Sequence, residues 1–282
     1  MADQVESTHR AVEYIESNLH NDISVGQVAD EVGYSLFHFI RTFNRLVHHT
    51  PYDYLMRRRL SEAANVLTIS QQRIIDIAQD FCFESQESFS RAFKKMFYLQ
   101  PSQWREQKPD GIWQLMPAKT NEDLVYLNGR DFHPPIIENL EEKTFYGLMS
   151  ILEEKDKPGQ KERLKQDFFH IRPTQGLIEI VETTLFVDNK NKREYFFIGI
   201  NEDIYPTLNP LLAAWRLPAG KYIKIEINDQ IRRQAMNYLL FTWLPQAGFR
   251  PAGSFTMEIF HPNLETVERI FLYLPIESIK NQ

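Results

Sequence analysis

Arg41 and Arg91 stand in the same five-residue frame, F-x-R-x-F, about fifty residues apart (Phe39 to Phe43, and Phe89 to Phe93). On a helix, residues four apart share a face, so both phenylalanines of a frame point to one side. The arginine between them points to the other. An arginine that cannot join the core can offer its planar fork to guanine O6 and N7, or clamp a phosphate. A second candidate is Glu258 in F-T-M-E-I-F. On a strand it shares a face with Thr256 and Phe260, opposite Phe255, Met257 and Ile259. Two readings stay open: a glutamate on a solvated face, or a carboxylate that attracts a cation. His261 follows Glu258 by three residues and would face the other way on a strand, so the two make no metal pair. His48 and His49 are expected at the surface. Arg57, Arg58 and Arg59 spread around a helix and cannot all meet one partner; one is expected to reach a phosphate, the others water or acids such as Glu62.

The elements that must carry the two arginines repeat. Residues 28–54 resemble residues 77–104, with Ala29 matching Ala78 and, after one extra residue, Phe39 matching Phe89 and Pro51 matching Pro101. Each copy reads as helix, tight turn, helix. In the first copy Ser24 and Gln27 form a capping box before Val25, Val28, Ala29 and Val32. Gly33 follows as a left-handed C-cap. Ser35 opens a second helix with Phe39, Phe43 and Leu46 on its core face. In the second copy Ile74, Ile77, Ala78 and Phe81 form the first helix, and Ser85 opens one that buries Phe89, Phe93, Met96 and Phe97. Between the copies, Thr50 caps a longer helix with Pro51 at its first position. Leu60, Ala63, Ala64 and Leu67 make its apolar stripe. A starter helix carries Thr8, Val12, Ile15 and Leu19, giving about seven helices. Such pairs also pack with no nucleic acid involved, so periodicity leaves that alternative open.

Composition sets bounds. A chain of 282 residues with 43 % hydrophobic residues has material for two cores. One cysteine, Cys82, excludes a disulfide framework and a multi-cysteine zinc site, and fits a reducing compartment. There is no basic leader before an apolar run and no stretch long enough to span a bilayer, so a cytoplasmic protein without a membrane partner is expected. The net charge is −6. Residues 1–108 hold twelve Lys and Arg against fourteen Asp and Glu, a difference of −2. A nucleic-acid surface must therefore be a local patch of cations.

The residues A-x-x-V-G-Y-S-x-x-x-F-x-R-x-F (29–43), T-P-x-x-Y (50–54), F-E-S-Q-x-x-F-x-R-x-F-K (83–94) and P-x-x-W-R (101–105) resemble the AraC/XylS family of transcription regulators over residues 5–107 or so. The resemblance implies two recognition helices entering successive major grooves of double-stranded DNA, roughly 34 Å apart. By position, Phe37, Ile40 and Arg41 of the first helix and Gln86, Glu87, Ser88 and Arg91 of the second would face the DNA. Ile40 stands where relatives often carry a polar residue, which implies apolar readout, such as a thymine methyl. Glu87 can only accept, for instance from cytosine N4. Cys82 replaces a usual glycine; if the turn needs positive φ, it carries strain.

Lys108 to Gly111 breaks the helical pattern, and a linker is expected over 109–131, with Trp113, Leu115, Val125 and Tyr126 hinting at strand. Beyond it, strands are expected at 143–152, 177–187, 194–200, 221–227, 254–260 and 268–274, and helices at 159–170 and 229–243. The predicted fold class is multi-domain: an all-α double helix-turn-helix domain (1–108) and an α+β domain (132–282) of two strand-helix-strand-strand units. P-A-G-K-Y (218–222), W-L-P-Q-A-G-F (243–249), F-T-M-E-I-F (255–260) and I-F-L-Y-L-P-I (270–276) resemble the GyrI-like effector-binding domain. That resemblance implies a cleft for amphipathic, often cationic small molecules, with Glu258 projecting among aromatic residues. Trp215, Tyr222, Trp243, Tyr195 and Tyr273 are the candidate walls. No cofactor is expected. The expected function is a ligand-responsive DNA-binding regulator, not an enzyme, with RNA polymerase a further candidate partner. Two alternatives remain: a small-molecule hydrolase using Glu258 with Tyr222 or Tyr195, and a DNA-binding protein whose second domain only recruits partners.

Overall fold

The computed structural model describes residues 2–107, 115–129, 132–152, 157–171, 180–188, 193–201, 212–253, 255–262 and 267–279. The chain divides into two units: Met1–Phe132 with Met236–Thr242, and His133–Ala235 with Trp243–Gln282.

The first unit is helical, with α1 (Ala2–Ser17), α2 (Val25–Glu31), α3 (Leu36–Val47), α4 (Pro51–Ile69), α5 (Ile74–Asp80), α6 (Gln86–Phe97), α7 (Pro101–Gln107) and α8 (Asn121–Asn128). The repeat governs it down to the backbone. At the first turn Gly33 N–H donates to Asp30 and Tyr34 N–H to Ala29; at the second, Cys82 N–H donates to Gln79 and Phe83 N–H to Ala78. Gly33 has φ 72° and Cys82 φ 59°, so the cysteine does occupy a left-handed position. α3 and α6 both end on a left-handed non-glycine residue, His48 and Tyr98. The capping box of Ser24 and Gln27 forms, and Thr50 Oγ1 accepts from Asp53 N–H above Pro51. Ser35 is extended but its side chain makes no capping bond.

Two cores result. Val28, Ala29, Phe39, Phe43, Tyr54 and Leu55 pack with Val12 and Ile15 of α1. Leu60, Ala63, Ala64 and Leu67 of α4 turn to the other core, with Ile77, Phe81, Phe89, Phe93, Phe97 and Trp104. α4 thus gives its first turns to one repeat and its later turns to the other. The stretch expected as a linker is, where described, part of this unit. Met116 and Leu124 lie in its first core. Val125 and Tyr126, read as strand hints, are in α8, which Thr120 and Asp123 close with a capping box. Trp113 lies outside the described residues.

The second unit is an antiparallel sheet with helices. Its strands are β1 (Ile136–Leu140), β2 (Lys143–Leu152), β3 (Ile180–Asp188), β4 (Arg193–Asn201), β5 (Ala213–Leu217), β6 (Gly220–Ile227), β7 (Phe249–Pro251), β8 (Phe255–Pro262) and β9 (Val267–Ser278). Its helices are α9 (Lys157–Ile171), the first turn of α10 (Arg232–Tyr238) and α11 (Leu244–Ala247); the rest of α10 and the π-helical turn after it (Leu239–Trp243), up to Thr242, count with the first unit. The strand order β1-β6-β9-β8-β3-β4-β2-β5 reads the same from either end once β2-α9-β3-β4 is equated with β6-α10-β8-β9. These are the two expected strand-helix-strand-strand units. Each receives its edge strand from just before the other: β1 pairs with β6, and β5 with β2. The pseudo-twofold axis falls between β3 and β8, where Glu182 stands opposite Glu258. β1, β5 and β7 were not anticipated; at five, five and three residues they are too short for a clear alternation.

The sheet's faces differ. One packs an aromatic core of Phe145, Phe197, Trp215, Tyr222, Met257 and Tyr273. The other faces α9 and α10.

Candidate DNA-reading helices and a candidate ligand cleft

α3 and α6 bury equivalent residues and expose equivalent ones. Phe39 and Phe43, like Phe89 and Phe93, are at most 2 % exposed. That anchors the opposite side of each helix outward. On α3 this side carries Leu36, Phe37, Ile40 and Arg41, all exposed, with Phe37 at 79 %. On α6 it carries Gln86, Glu87 and Arg91, also exposed. The Glu87 carboxyl is held below its usual range, first by its own backbone N–H and then by Ser85, so it stays a charged acceptor. Ser88, carried over as a contact residue, is committed elsewhere. Its hydroxyl donates to Ser85 O at 2.8 Å and accepts from Ser85 N–H at 3.2 Å, closing the cap of α6.

Aligning the frames sets Leu36 against Gln86, Phe37 against Glu87 and Ile40 against Ser90. The two helices therefore share a scaffold and present contrasting surfaces, apolar on α3 and polar on α6.

The arginine run of α4 faces inward more than expected. Arg58 and Arg59 are 5 % and 4 % exposed. Arg58 forks onto Glu16 at 2.9 Å and reaches Glu62 at 2.7 Å. Arg59 donates to the carbonyls of Leu19 at 3.0 Å and Asn21 at 2.6 Å, satisfying the loop after α1. Arg57 pairs with Asp53 at 2.8 Å. The phosphate contact expected of one arginine thus has Arg57, a quarter exposed, as its remaining candidate.

His49 corrects the surface expectation: it is 3 % exposed. A carboxylate only accepts, so His49 Nδ1–H donates to Asp53 Oδ2 at 2.7 Å, and the neutral ring's Nε2 accepts from Thr242 Oγ1 at 3.0 Å. Burial holds its pKa below the usual histidine value, against the pull of Asp53. For Asp53 burial pushes upward, but His49 and Arg57 outweigh it and leave the carboxyl at about 2. Asp53, four residues on, was the sequence signal for this pair; Thr242 has none, being distant in the chain.

In the second unit the expected ligand residues separate. Trp215, Tyr222 and Tyr273 share the aromatic face with Met257 and are 1–7 % exposed. Tyr222 donates to Pro218 O at 2.7 Å, and burial pushes its hydroxyl up to about 12. Tyr195 lies partly exposed in β4, and Trp243 stacks on Phe249 with centroids 6.5 Å apart. Glu258 is on the other face, where Arg232 of α10 donates to it. The arrangement of Glu258 among these aromatic residues is therefore corrected: strand alternation puts the carboxylate and the aromatic core on opposite sides of β8. The side chain of His261 lies outside the described residues. Among those described, no group of three His, Cys, Asp or Glu could hold a metal ion. No helix among them is long and apolar enough to cross a membrane.

Beside Glu258 a cleft of about 260 Å³ opens at the pseudo-twofold axis. Its floor is Glu182, Thr184, Phe196, Thr256 and Glu258; Lys161, Lys165 and Arg232 come over it from the helices. Lys165 pairs with Glu182 at 2.7 Å. Burial raises the Glu182 pKa, opposed by Lys165. The sequence reading missed Glu182 and the two lysines; an acid within the apolar run of β3 was the available signal.

Two helix-turn-helix units in one chain, each exposing one side of its second helix, define a double helix-turn-helix module. A helix-turn-helix domain family model matches residues 13–107. The chain is 40 % identical over 99 residues to the uncharacterized HTH-type transcriptional regulator YbfP of Bacillus subtilis, covering 35 % of this chain and 34 % of that one. It is 36 % identical over 102 residues to the transposon Tn10 TetD protein of Escherichia coli, covering 36 % of this chain and 72 % of that one. Only about a third of the Bacillus relative's length is thus spanned. The solved structure of SAV2435 bound to tetraphenylphosphonium is 13 % identical, covers 51 % of this chain and 94 % of that chain, and has a TM-score of 0.40. The chain belongs to the AraC-type helix-turn-helix family of transcription regulators.

Proposed function

We propose that the chain regulates transcription by binding double-stranded DNA through α3 and α6, and that its second unit receives a small-molecule effector. The observation that carries the first part is the repeated frame. It buries Phe39, Phe43, Phe89 and Phe93 and leaves Arg41 and Arg91 exposed at equivalent places on two helices. Two reading helices on one polypeptide suit adjacent major-groove segments without a dimer. Arg41 and Arg91 read guanine or fix phosphates, Phe37 and Ile40 offer apolar contact, and Gln86 and Glu87 offer polar contact. The family supports this reading, since YbfP is named an HTH-type transcriptional regulator.

The second part rests on the cleft beside Glu258, which lies on a sheet built from two like halves. A ligand there changes DNA affinity only by its differential affinity for two states of the protein.

The test is selection of bound duplexes from a random pool, followed by affinity measurement on the selected site. Arg41→Ala and Arg91→Ala are each expected to weaken specific binding by about 1–3 kcal/mol. Unchanged affinity in either variant removes that arginine from the interface. Repeating the titration with small molecules that bind the second unit tests its receiving role. If none of them shifts operator affinity, that role falls while the DNA-binding assignment stands.

A further inference from the structure

Resting on the reading of the second unit as the receiver of a small molecule, we propose that the cleft at the pseudo-twofold axis takes a small organic monoanion. The ligand is a carboxylate on a compact apolar body, in place of the cation that Glu258 suggested from sequence.

The argument begins with the two carboxylates. Glu182 and Glu258 are directly opposed across β3 and β8, where like charges repel. Each already has its cation: Lys165 lies 2.7 Å from Glu182, and Arg232 donates to Glu258. Arg232 is held further by Asp229 at the exposed rim, at 2.7 Å. A cationic ligand would have to displace Lys165 or Arg232 from a partly buried pair and leave that cation without its partner.

Lys161 is differently placed. Four residues before Lys165, it reaches into the same cleft and donates to the Thr184 hydroxyl at 3.1 Å, a neutral acceptor. The nearest acid on β4, Glu194, is paired with Lys157 at 2.6 Å. Burial lowers the Lys161 pKa, with Lys165 adding to the effect, against the pull of Glu194, Glu258 and Glu182. With the ion pairs at its edge counted, Lys157, Lys161, Lys165 and Arg232 balance Glu182, Glu194, Asp229 and Glu258, and of these four cations Lys161 is the one whose hydrogen bond goes to a neutral group. A carboxylate arriving at Lys161 exchanges a bond to a hydroxyl for a charge-assisted one and displaces no ion pair. A dianion such as phosphate would bring a second negative charge beside Glu182 and Glu258 and gain less.

The apolar body has a place as well. The Phe196 ring forms part of the floor, with Lys161 Nζ 5.3 Å from its centroid. Thr184 and Thr256 supply hydroxyls on either side of the axis. A volume of about 260 Å³ holds about ten non-hydrogen atoms, a little below the usual range of ligand pockets, which restricts the ligand to a compact one.

Three probes of one shape and different charge decide the matter: phenylacetate, phenylacetamide and phenethylammonium. Each is titrated calorimetrically into the full chain at constant ionic strength. Phenylacetate is expected to bind saturably at one site, with the amide at least tenfold weaker and the ammonium weaker still. Lys161→Met is expected to lower phenylacetate affinity at least tenfold, and Lys161→Arg to retain most of it, with circular dichroism confirming that both fold. Tighter binding of the ammonium, lost in Glu258→Gln, overturns the anion assignment and leaves the receiving role standing. Full affinity in Lys161→Met, or no saturable binding by any probe to the folded chain, also overturns it. Failure of the receiving role is read separately, from operator affinity that no bound probe changes.

Discussion

Cys82 and His49 show what single positions contribute. Cys82 takes φ 59° in the turn that Gly33 makes in the other copy. A side chain in this region costs roughly 1–2 kcal/mol, part of which returns as unfolded-state entropy when glycine replaces it. Cys82→Gly is therefore expected to stabilise the fold by about 0.5–1 kcal/mol, measured by denaturant unfolding; a destabilised variant would mean that the thiol's packing outweighs the strain. His49 and Asp53 make the fold acid-sensitive. His49 has its folded pKa below the usual value, so the unfolded chain takes up that proton first. Its contribution is complete above about pH 6.5 and is lost as the pH falls below that. Asp53, at about 2 in the fold, contributes above its ordinary carboxylate value and loses that contribution as the pH falls through 4 toward 2. Thermal stability is expected to fall as the pH drops from 7 to 5, and His49→Asn to flatten that dependence. An equal slope in the variant would place the sensitivity elsewhere.

Among the elements, α3 and α6 make a comparison within one molecule. Their scaffolds coincide while Phe37 stands where the other has Glu87, and Ile40 where it has Ser90. The apolar surface of α3 suits thymine methyl groups, and the acceptor Glu87 suits an exocyclic amine. Replacing thymine by uracil in the half-site under α3 is expected to weaken binding about fourfold, the worth of one buried methyl. Phe37→Ala should bind more weakly and lose most of that discrimination, and the same base change under α6 should have little effect. Equal sensitivity of both half-sites would refute apolar readout by α3. β2 and β4 carry a different constraint. Gly147 and Gly199 face each other across the pair, and a Cβ on Gly147 would lie 1.9 Å from Ile198 O. Gly147→Ala forces these strands apart and is expected to cost about 3 kcal/mol or more, read from the unfolding midpoint. A near-neutral result would mean that the strands are not held this close in solution.

At the scale of the whole molecule, the chain divides by chemistry: a repeated helical unit and a sheet of two like halves. The split is not a single cut in the sequence, because Met236–Thr242 belongs with the helical unit although residues on both sides belong with the sheet. Phe241 joins the first helical core, and Thr242 meets His49. The sequence by itself determined the repeat, its turns and caps, and the residues that α3 and α6 bury, because contacts three and four residues apart are local and leave a period. It also determined the long strands, through their runs of Val, Ile, Phe and Tyr. What the tertiary structure decided lies between distant segments. No local pattern says that Arg58 finds Glu16, that Glu182 pairs opposite Glu258, or that α9 sets Lys161 over the same cleft as Arg232. Strand alternation placed Glu258 on one side of β8, but only the helices packed against the sheet decided that this side is rich in cations and the other aromatic.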